Sequence, residues 1–548
     1  MSLEESEPPS FIKKLQSLPT SVYVAVLLLY VVFFFGSHKY QLPGLAERDG
    51  YFHARYSQML PEIGVSSKFP WLQQSVLKEH FADQAVLHHV FMIPFTRDRD
   101  DPIKGAQISS LVLIVAVFFA VFYVLRKHNI PLPVLLTTFL LSLSGGFLFR
   151  LDMIRSHVVS ILLSIIGIHF LLQQRWRALA ILGFIFAWSY TFPFVLAIHA
   201  VIFVIGAWLY DRKLDLKSPV AATVGVLVGY VVHPHSPQTL DFFKATLDVL
   251  QIGAKGQALD MAIAVEYQSQ DIKTLFTSNL LYLPVMALLP AGVLFLHRRK
   301  ALSRELSALA VLAVAWLIAT LRYARFVEYA VPTALLAAGF VLRDLQKAID
   351  LSTWISKSPQ RLTLSISALV LVTTSGHIGA SMLMLDWAKP EPPHFKGAAQ
   401  WLAANAYPRE TIVNLYWHDF PELFYHAPRQ TFIWGLDPVF TYKFNPEVGE
   451  RLRRIIRGDE NIDRQWMMNT LKARYLVLKN FSVEFNLPDF RKGDWIPVYA
   501  DKTAIIFDLR RPPGPVKPAP TKQTPPASLP PGGETKVQPI PALPAPAN

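Results

Sequence analysis

The segment ERDGYFHAR, residues 47–55, groups ionisable side chains directly after the first apolar run of the sequence. Glu47 and Asp49 offer carboxylate oxygens, which are the ligands that Mg²⁺ and Mn²⁺ prefer. A carboxylate such as Asp49 can also orient or deprotonate a nucleophile. His53 adds an imidazole to the same segment. These residue types predict metal binding and proton transfer next to an apolar segment.

A second segment of the same character, FRLDMIRSH (149–157), follows a later apolar run. It contributes Arg150 and Asp152, and a long polar stretch further on contributes Glu266. Ionisable groups close to a membrane are costly unless they pair with each other, a ligand or an ion. We therefore predict that Asp49, Asp152 and Glu266 bind a divalent metal ion, Mg²⁺ or Mn²⁺. Further candidates for the site are Glu47, His53 and Arg150.

Two arginines in the segment LRYARFVEY (321–329) have the chemistry of a phosphate site. Arg322 and Arg325 are three residues apart, which places them on one face of a helix. A guanidinium offers a planar pair of donors to phosphate oxygens, and two of them beside a divalent ion would hold a diphosphate. The alternative is that Arg325 pairs with Glu328 and closes a helix end.

The segment FADQAVLHHVFMIPF (81–95) contains a further group of ionisable residues, Asp83, His88 and His89. Adjacent residues of a helix point to different faces, so at most one of the two histidines can join Asp83. We expect a structural or interfacial role for this pair.

These segments must be positioned by membrane helices. The chain has 548 residues, of which 52% are hydrophobic and 17% charged, and its apolar residues fall in long runs bounded by basic clusters. Such a pattern is typical of a polytopic membrane protein with, in this case, about eleven spans. The net charge of +13 lies at the ends of the runs, which indicates topology signals rather than a nucleic-acid surface. The predicted spans are 20–37, 105–125, 131–149, 157–172, 177–191, 193–209, 219–233, 276–296, 303–321, 323–341 and 362–385.

The basic loops predict the orientation of these spans. RKHN (126–129) and DRKLDLK (211–217) carry lysine and arginine, whereas SYTFP (189–193) carries neither. This pattern fits the positive-inside rule if the N-terminus is cytoplasmic. An odd number of spans then sends the C-terminal domain outside and brings the ionisable segments to one outer face. The sequence contains no cysteine, which excludes disulfides and thiolate metal sites.

The composition changes after the last span. Residues 390–510 mix charged and aromatic side chains with short runs, ARYLVL (473–478) and TAIIFDL (503–509), which predict strands among helices. Residues 511–548 contain 13 of the 41 prolines, which predicts a disordered tail. We therefore expect a mostly α fold, with a multi-span transmembrane domain (1–389), an extracytoplasmic α/β-type domain and this tail.

The order of these features resembles the GT-C superfamily of membrane glycosyltransferases. A first span is followed by an acidic loop that reads DGY, then by a second acidic outer loop, an arginine at the outer boundary of a late span, and an extracytoplasmic domain. Within the superfamily, the chain is similar to the single-subunit oligosaccharyltransferases of bacteria and archaea, whose DGY aspartate binds metal and the acceptor. The resemblance implies that Asp49 and Asp152 are the catalytic residues.

The C-terminal domain carries a second point of resemblance in NLYWHDFPELF, residues 414–424. Oligosaccharyltransferases have a WWDYG motif there, with which they bind the hydroxyl amino acid of the acceptor. Trp417, His418 and Asp419 occupy comparable places and become candidate acceptor-binding residues. The match departs from the motif because His418 intervenes and Phe420 and Pro421 replace Tyr-Gly.

The resemblance implies an integral-membrane enzyme that transfers a sugar or glycan from a polyprenyl phosphate or diphosphate to a glycan, lipid or protein acceptor. The reaction would take place at the outer face of the plasma (inner) membrane of a prokaryote, with Arg322 and Arg325 at the donor phosphate. One alternative is a monosaccharide transferase acting on a lipid or a cell-surface polysaccharide, which can work without metal. Others are a transporter or flippase of lipid-linked sugars, and an assembly protein with a degraded site.

Overall fold

A computed structural model of the chain describes residues 19–41, 44–97, 99–254, 269, 271–349, 359–388, 393–480, 495 and 497–510. The chain divides into two compact units. The first comprises the chain up to Ala54 together with Ala82–Pro393, and the second comprises Arg55–Phe81 together with the chain from His394 onward. The predicted tail, 511–548, lies outside the described residues.

The first unit is helical in its described residues. Its longest apolar helices begin and end where the sequence offers caps. In the helix Pro102–Lys127, for example, the Asp101 side chain accepts the Ile103 N–H at 3.1 Å. Arg126 and Lys127 lie in its last turn, where the helix dipole favours cations. The helices are α1 (Thr20–Gln41), α2 (Asp49–Ile63), α3 (Val86–Thr96), α4 (Pro102–Lys127), α5 (Pro133–Leu143), α6 (Gly145–Asp152), α7 (His157–Leu172), α8 (Trp176–Ser189), α9 (Val195–Asp211), α10 (Lys217–Val231), α11 (Gln238–Ala254), α12 (Ile272–Ser278), α13 (Tyr282–Arg298), α14 (Arg304–Arg322), α15 (Val327–Ala348) and α16 (Pro359–Trp387).

The number of helices that can cross a membrane is smaller than predicted. Among the described residues, five helical stretches are long and apolar enough to do so. The number rises to seven if α5 with α6, bent by 92°, and α12 with α13, bent by 82°, each count as one span. The prediction of about eleven spans is therefore wrong by this measure. The five stretches are Thr20–Gln41, Pro102–Lys127, Arg304–Arg322, Ala324–Ala348 and Ser367–Trp387.

The difference has a simple geometric cause. Four predicted spans form α7, α8, α9 and α10, which are apolar but only 14 to 17 residues long. At a rise of about 1.5 Å per residue, even 17 residues extend over only about 25 Å, less than the roughly 30 Å hydrocarbon core of a bilayer. Apolar composition predicted these helices correctly, but it did not predict where each one ends.

Two of the short helices, α8 and α10, pack closely through glycines. A β-carbon at Gly225 would collide with the carbonyl oxygen of Ala180, and one at Gly183 would collide with that of Ala222. Small residues let helix backbones approach each other in the same way at many membrane-helix interfaces. This contact fixes the end of α8, directly after which Tyr190 enters the candidate site.

The second unit combines short helices with a mixed sheet. The strand order is β2-β1-β3-β5-β4, in which β1 runs parallel to β2 and β3, and β5 runs antiparallel to β3 and β4. The runs ARYLVL and TAIIFDL form β3 and β5, as predicted. The elements are α17 (Lys396–Asn405), β1 (Thr411–Asn414), α18 (Phe420–His426), β2 (Thr431–Phe432), α19 (Pro438–Phe444), α20 (Pro446–Arg457), α21 (Arg464–Asn469), β3 (Ala473–Lys479), β4 (Pro497–Ala500) and β5 (Ala504–Asp508).

The second unit also includes a segment from the first predicted outer loop, which the sequence did not lead us to expect. Leu72 forms a parallel bridge with Phe432 of β2. The Phe432 N–H donates to the Trp71 carbonyl at 2.7 Å, and the Gln73 N–H donates to the Phe432 carbonyl at 2.8 Å. Because these contacts use main-chain atoms, which every residue possesses, they leave no signature in the sequence.

Candidate active site

Arg155 joins the first two predicted outer loops. Its Nε lies 3.2 Å from Oε2 of Glu47, and its Nη2 forms an ion pair with Oδ2 of Asp49. The side chains of Asp49 and Arg155 are 30% and 23% exposed, so a ligand can reach this cluster. We call Glu47, Asp49 and Arg155 the ionic cluster.

The start of α2 gives the ionic cluster its geometry. The N–H groups of Asp49 and Gly50 donate to the Glu47 carboxylate at 2.7 and 2.8 Å, which satisfies donors that a helix N-terminus leaves unpaired. A β-carbon at Gly50 would collide with Leu45 and would crowd the Glu47 carboxylate and Ile154. The glycine of the DGY sequence therefore lets Leu45, Glu47 and Ile154 approach α2 without rearrangement.

Asp152 lies in a different environment from Asp49. Its side chain is buried, with Nδ1 of His38 at 2.9 Å from Oδ2 and Nζ of Lys39 at 2.9 Å from Oδ1. The Lys39 ammonium also donates to the Asp152 carbonyl at 2.5 Å. Asp152 and Glu47 both line a cavity of about 10 Å³, which is room for about one water molecule. Asp152 is thus held by α1 and has no space beside it for a substrate.

The predicted metal site does not form from the described residues. Asp49 is paired with Arg155 and Asp152 with Lys39, so both of the described carboxylate ligands already face a cation. Within the described ranges, no group of three or more His, Asp and Glu side chains is arranged to hold a metal ion. The third predicted ligand, Glu266, lies outside the described residues. The donors that are described therefore do not fit Mg²⁺ or Mn²⁺.

Arg325 belongs to a buried polar network rather than to a continuous helix with Arg322. Helix α14 ends at Arg322, and Tyr323 is extended (φ −138°, ψ 111°), so Arg325 lies in the 3₁₀ turn Ala324–Phe326. The prediction that the two arginines share a helix face is wrong for this reason. Arg322 instead places its guanidinium 5.4 Å from the ring centroid of Tyr323.

The network around Arg325 reaches α6 through two intermediate groups. Nη2 of Arg325 donates to the Tyr190 hydroxyl at 2.9 Å, and this hydroxyl lies 3.5 Å from Oε1 of Glu328. The other oxygen of Glu328 is 2.5 Å from Nε of Arg150, and both side chains are buried. Glu328 therefore pairs with Arg150, and its link to Arg325 passes through a tyrosine.

His53 ends a chain of three hydrogen-bonded side chains. Its Nδ1 lies 2.8 Å from Nε2 of His89, whose Nδ1 lies 2.8 Å from Oδ2 of Asp83. His88 stands beside this chain, with its ring centroid 5.6 Å from that of His53. The expectation that only one of the adjacent histidines joins Asp83 is confirmed, and the partnership of His53 with His89 was not predicted.

Burial and neighbouring charges set the ionisation of this chain. Burial, reinforced by His89, lowers the pKa of His53 to about 3. Burial acts to raise the pKa of Asp83, but His89 and the Ala85 N–H outweigh it and lower this pKa. At neutral pH the chain therefore contains an ionised Asp83 and a neutral His53.

The predicted acceptor-binding residues lie in the second unit, in the 3₁₀ turn Trp417–Asp419. The Asp419 side chain is buried, with Nζ of Lys479 at 3.2 Å from Oδ1, and Nε2 of His418 lies 3.7 Å from the same oxygen. Trp417 packs against the core of this unit, and the His418 side chain is 39% exposed. Trp417 and His418 are therefore partly exposed, whereas Asp419 is buried.

No protein-family model and no curated protein matches this sequence. Solved structures do match its fold. The apo oligosaccharyltransferase of Archaeoglobus fulgidus has a TM-score of 0.60 at 12% identity, over 84% of this chain and 69% of that one. The same enzyme tethered to an acceptor peptide with the NVT sequon has a TM-score of 0.58 at 13% identity, over 89% and 74%.

A second enzyme with a similar fold is ArnT from Cupriavidus metallidurans bound to undecaprenyl phosphate. It has a TM-score of 0.51 at 12% identity, over 89% of this chain and 98% of that one. At such low identity the likeness concerns the fold alone. The chain has the GT-C fold, as the sequence predicted, and it is an integral membrane protein.

Proposed function

We propose that this protein is a membrane glycosyltransferase that transfers a sugar or glycan from a polyprenyl-linked phosphate donor to an acceptor at the outer face of the membrane. The observation that carries the proposal is the ion pairing of Arg155 with Glu47 and Asp49, which assembles a partly open ionic cluster on a GT-C fold. The ArnT structure contains undecaprenyl phosphate, and an oligosaccharyltransferase structure contains an acceptor peptide, which supports both substrate classes.

In this reaction Arg325 binds the donor phosphate through a guanidinium that also donates to the Tyr190 hydroxyl. The positive charge of Arg155 instead holds Asp49 and Glu47 in the ionic cluster. Positive groups that are already oriented stabilise the charge that develops on a departing phosphate. Asp49, held by Arg155, orients the acceptor for attack at the anomeric carbon.

The charge pairing favours the second candidate, a monosaccharide transferase with a polyprenyl monophosphate donor and a lipid or polysaccharide acceptor. Lys39 and Arg155 already neutralise the two carboxylates that a metal ion would have used. A monophosphate carries less charge than a diphosphate and needs fewer compensating cations. Burial of Asp419 against Lys479 also disfavours the recognition of a peptide sequon by that carboxylate.

The proposal places the N-terminus in the cytoplasm and the C-terminal domain outside the plasma membrane of a prokaryote. The test of function is incubation of the purified protein with polyprenyl-phosphate-linked and polyprenyl-diphosphate-linked sugars and with lipid, polysaccharide and peptide acceptors. We expect sugar transfer from one donor class. Absence of transfer from both classes to every acceptor would contradict the proposal.

A further inference from the structure

In the hydrogen-bonded chain Asp83–His89–His53, the proton positions follow from the charge of Asp83 and the neutral form of His89. An ionised carboxylate only accepts hydrogen bonds, so the Nδ1 of His89 that faces Asp83 must carry a hydrogen. In the form of the chain with a neutral His89, this imidazole has a single N–H, so its Nε2 offers a lone pair to His53. His53 must therefore donate through Nδ1, which leaves the lone pair of His53 on Nε2.

The Nε2 of His53 has the properties of a proton acceptor. It has no hydrogen-bond partner among the described residues, and His53 is only partly buried, whereas Asp83 and His89 behind it are buried. The carboxylate thus imposes one tautomer on His53 through His89. This is the same arrangement of roles by which an acid orients a catalytic histidine in hydrolases.

The location of His53 connects this chain to the ionic cluster. Asp49 and His53 are four residues apart in α2, so they lie on the same face of the helix, one turn from each other. Asp49 is itself 30% exposed. An acceptor that is oriented by Asp49 would therefore have an imidazole lone pair within one helical turn.

We propose that Nε2 of His53 takes the proton from the nucleophilic O–H or N–H of the acceptor, with His89 and Asp83 as its positioning residues. This inference rests on the proposed function. In the step, the acceptor atom forms a bond to the anomeric carbon as the bond from that carbon to the phosphate oxygen breaks. The bonding electrons leave with the phosphate, and the acceptor proton moves to His53.

The ionisation of His53 is consistent with this role. With Asp83, His88 and His89 around it, burial keeps the pKa of His53 at about 3, so the imidazole is neutral when the acceptor arrives. A base of this strength suffices for late proton transfer, because the acceptor atom becomes a strong acid once it has bonded to the anomeric carbon. Late proton transfer is also consistent with a phosphate that departs early, because Arg325 would stabilise its negative charge.

The test compares His53→Gln with the burial-matched control His88→Leu in the transfer assay. Glutamine can accept a hydrogen bond but cannot take the proton, so we expect kcat to fall by about 10² or more while KM changes less than about threefold. Neither ring nitrogen of His88 has a hydrogen-bond partner within the described part of the chain, so His88→Leu should keep wild-type kcat.

Wild-type kcat in His53→Gln, or an equal loss of kcat in His88→Leu, overturns the inference. If His53→Gln does not fold, Asp83→Asn replaces it, because it removes the charge that orients the chain at nearly constant volume. We then expect a loss of kcat of about tenfold or more, and wild-type kcat overturns the inference. Absence of transfer by the wild type would instead contradict the proposed function.

Discussion

The ammonium nitrogen of Lys39 lies 2.9 Å from Oδ1 of Asp152, and both side chains are buried. Lys39 lies in the last turn of α1 and Asp152 is the last residue of α6, so this pair ties the first long apolar helix to the second predicted outer loop. A buried charge is costly without a partner of opposite sign, so the Lys39 ammonium and the Asp152 carboxylate each offset the cost of burying the other. The pair gives Asp152 a structural role next to the ionic cluster.

Removal of Lys39 should destabilise the protein strongly. Among the described residues, Lys39→Met leaves the Asp152 carboxylate with only His38 as a side-chain partner. Breaking a buried ion pair on one side costs about 3–5 kcal/mol. The free energy of unfolding in detergent measures this loss, and Lys39→Met with Asp152→Asn should recover part of it. The matched control is Lys68→Met, whose pair with Glu79 is exposed and should contribute at most about 1 kcal/mol. Similar losses in both single variants would contradict this account.

Replacement of Arg155 should impair transfer more than folding. Arg155→Gln releases Asp49 and Glu47, and the loss of one charge-assisted hydrogen bond costs about 1.5–3 kcal/mol, or about 10- to 100-fold in kcat/KM. Steady-state kinetics measures the effect. Arg453→Gln is the control, because Arg453 pairs with Glu450 in the second unit. Equal kinetics in the two variants would show that the ionic cluster is not part of the site.

Tyr190 should set the affinity for the donor. Tyr190→Phe removes the hydroxyl that accepts from Arg325 at 2.9 Å, and the guanidinium loses one of the contacts that orient it. We expect the KM for the donor to rise about tenfold, in line with the loss of one hydrogen bond to a charged group. Tyr282→Phe is the control, since this buried hydroxyl has no partner among the residues that the structure describes. An unchanged KM in Tyr190→Phe would remove Tyr190 from donor binding.

The second unit should become less stable as the pH rises towards 8. Burial raises the pKa of Asp437 to about 7, compared with about 3.9 for an unfolded chain. The folded state therefore binds a proton more tightly, and the stabilisation from this group is complete below about pH 4 and lost as the pH rises through 7. Asp437→Asn keeps the helix cap on the Val439 N–H, so it should be more stable than the wild type at pH 8 and lose most of this advantage at pH 5.

The control for this pH dependence is a second helix cap of the same unit. Asp463 caps α21 through the Trp466 N–H at 3.0 Å. Burial acts to raise its pKa, but the Trp466 N–H and Arg451 outweigh this and lower it, so Asp463→Asn should cost stability at pH 8. Thermal unfolding at the two pH values measures both differences. The same sign for both variants at pH 8 would contradict the account.

Local patterns predicted more of the fold than of the site. Apolar runs indicated the helices, and alternating runs indicated β3 and β5. Both are local signals, because the buried face of a helix or strand sets the spacing of apolar residues within that segment. The pairing of Asp83 with only one adjacent histidine followed from helix geometry in the same way. The extended Tyr323, which separates Arg322 from Arg325, has no such local signal.

The contacts that define the site join residues far apart in the sequence. His53 and His89 are 36 residues apart, and Lys39 and Asp152 are 113 apart. Such pairs form when helices pack against each other, and this packing cannot be predicted from the sequence of a single segment. The side chains of His38 and Lys39 at the end of the first apolar run were the available signal for the partners of Asp152.

The most direct test of the central claim, that the ionic cluster is the site of sugar transfer, is the assay of purified wild type and Asp49→Asn in EDTA with a polyprenyl-phosphate-linked sugar. The account predicts that the wild type transfers sugar while the metal is chelated, since Lys39 and Arg155 face the two carboxylates. It also predicts that Asp49→Asn loses about 10² or more in kcat/KM. Wild-type activity in Asp49→Asn would contradict the claim.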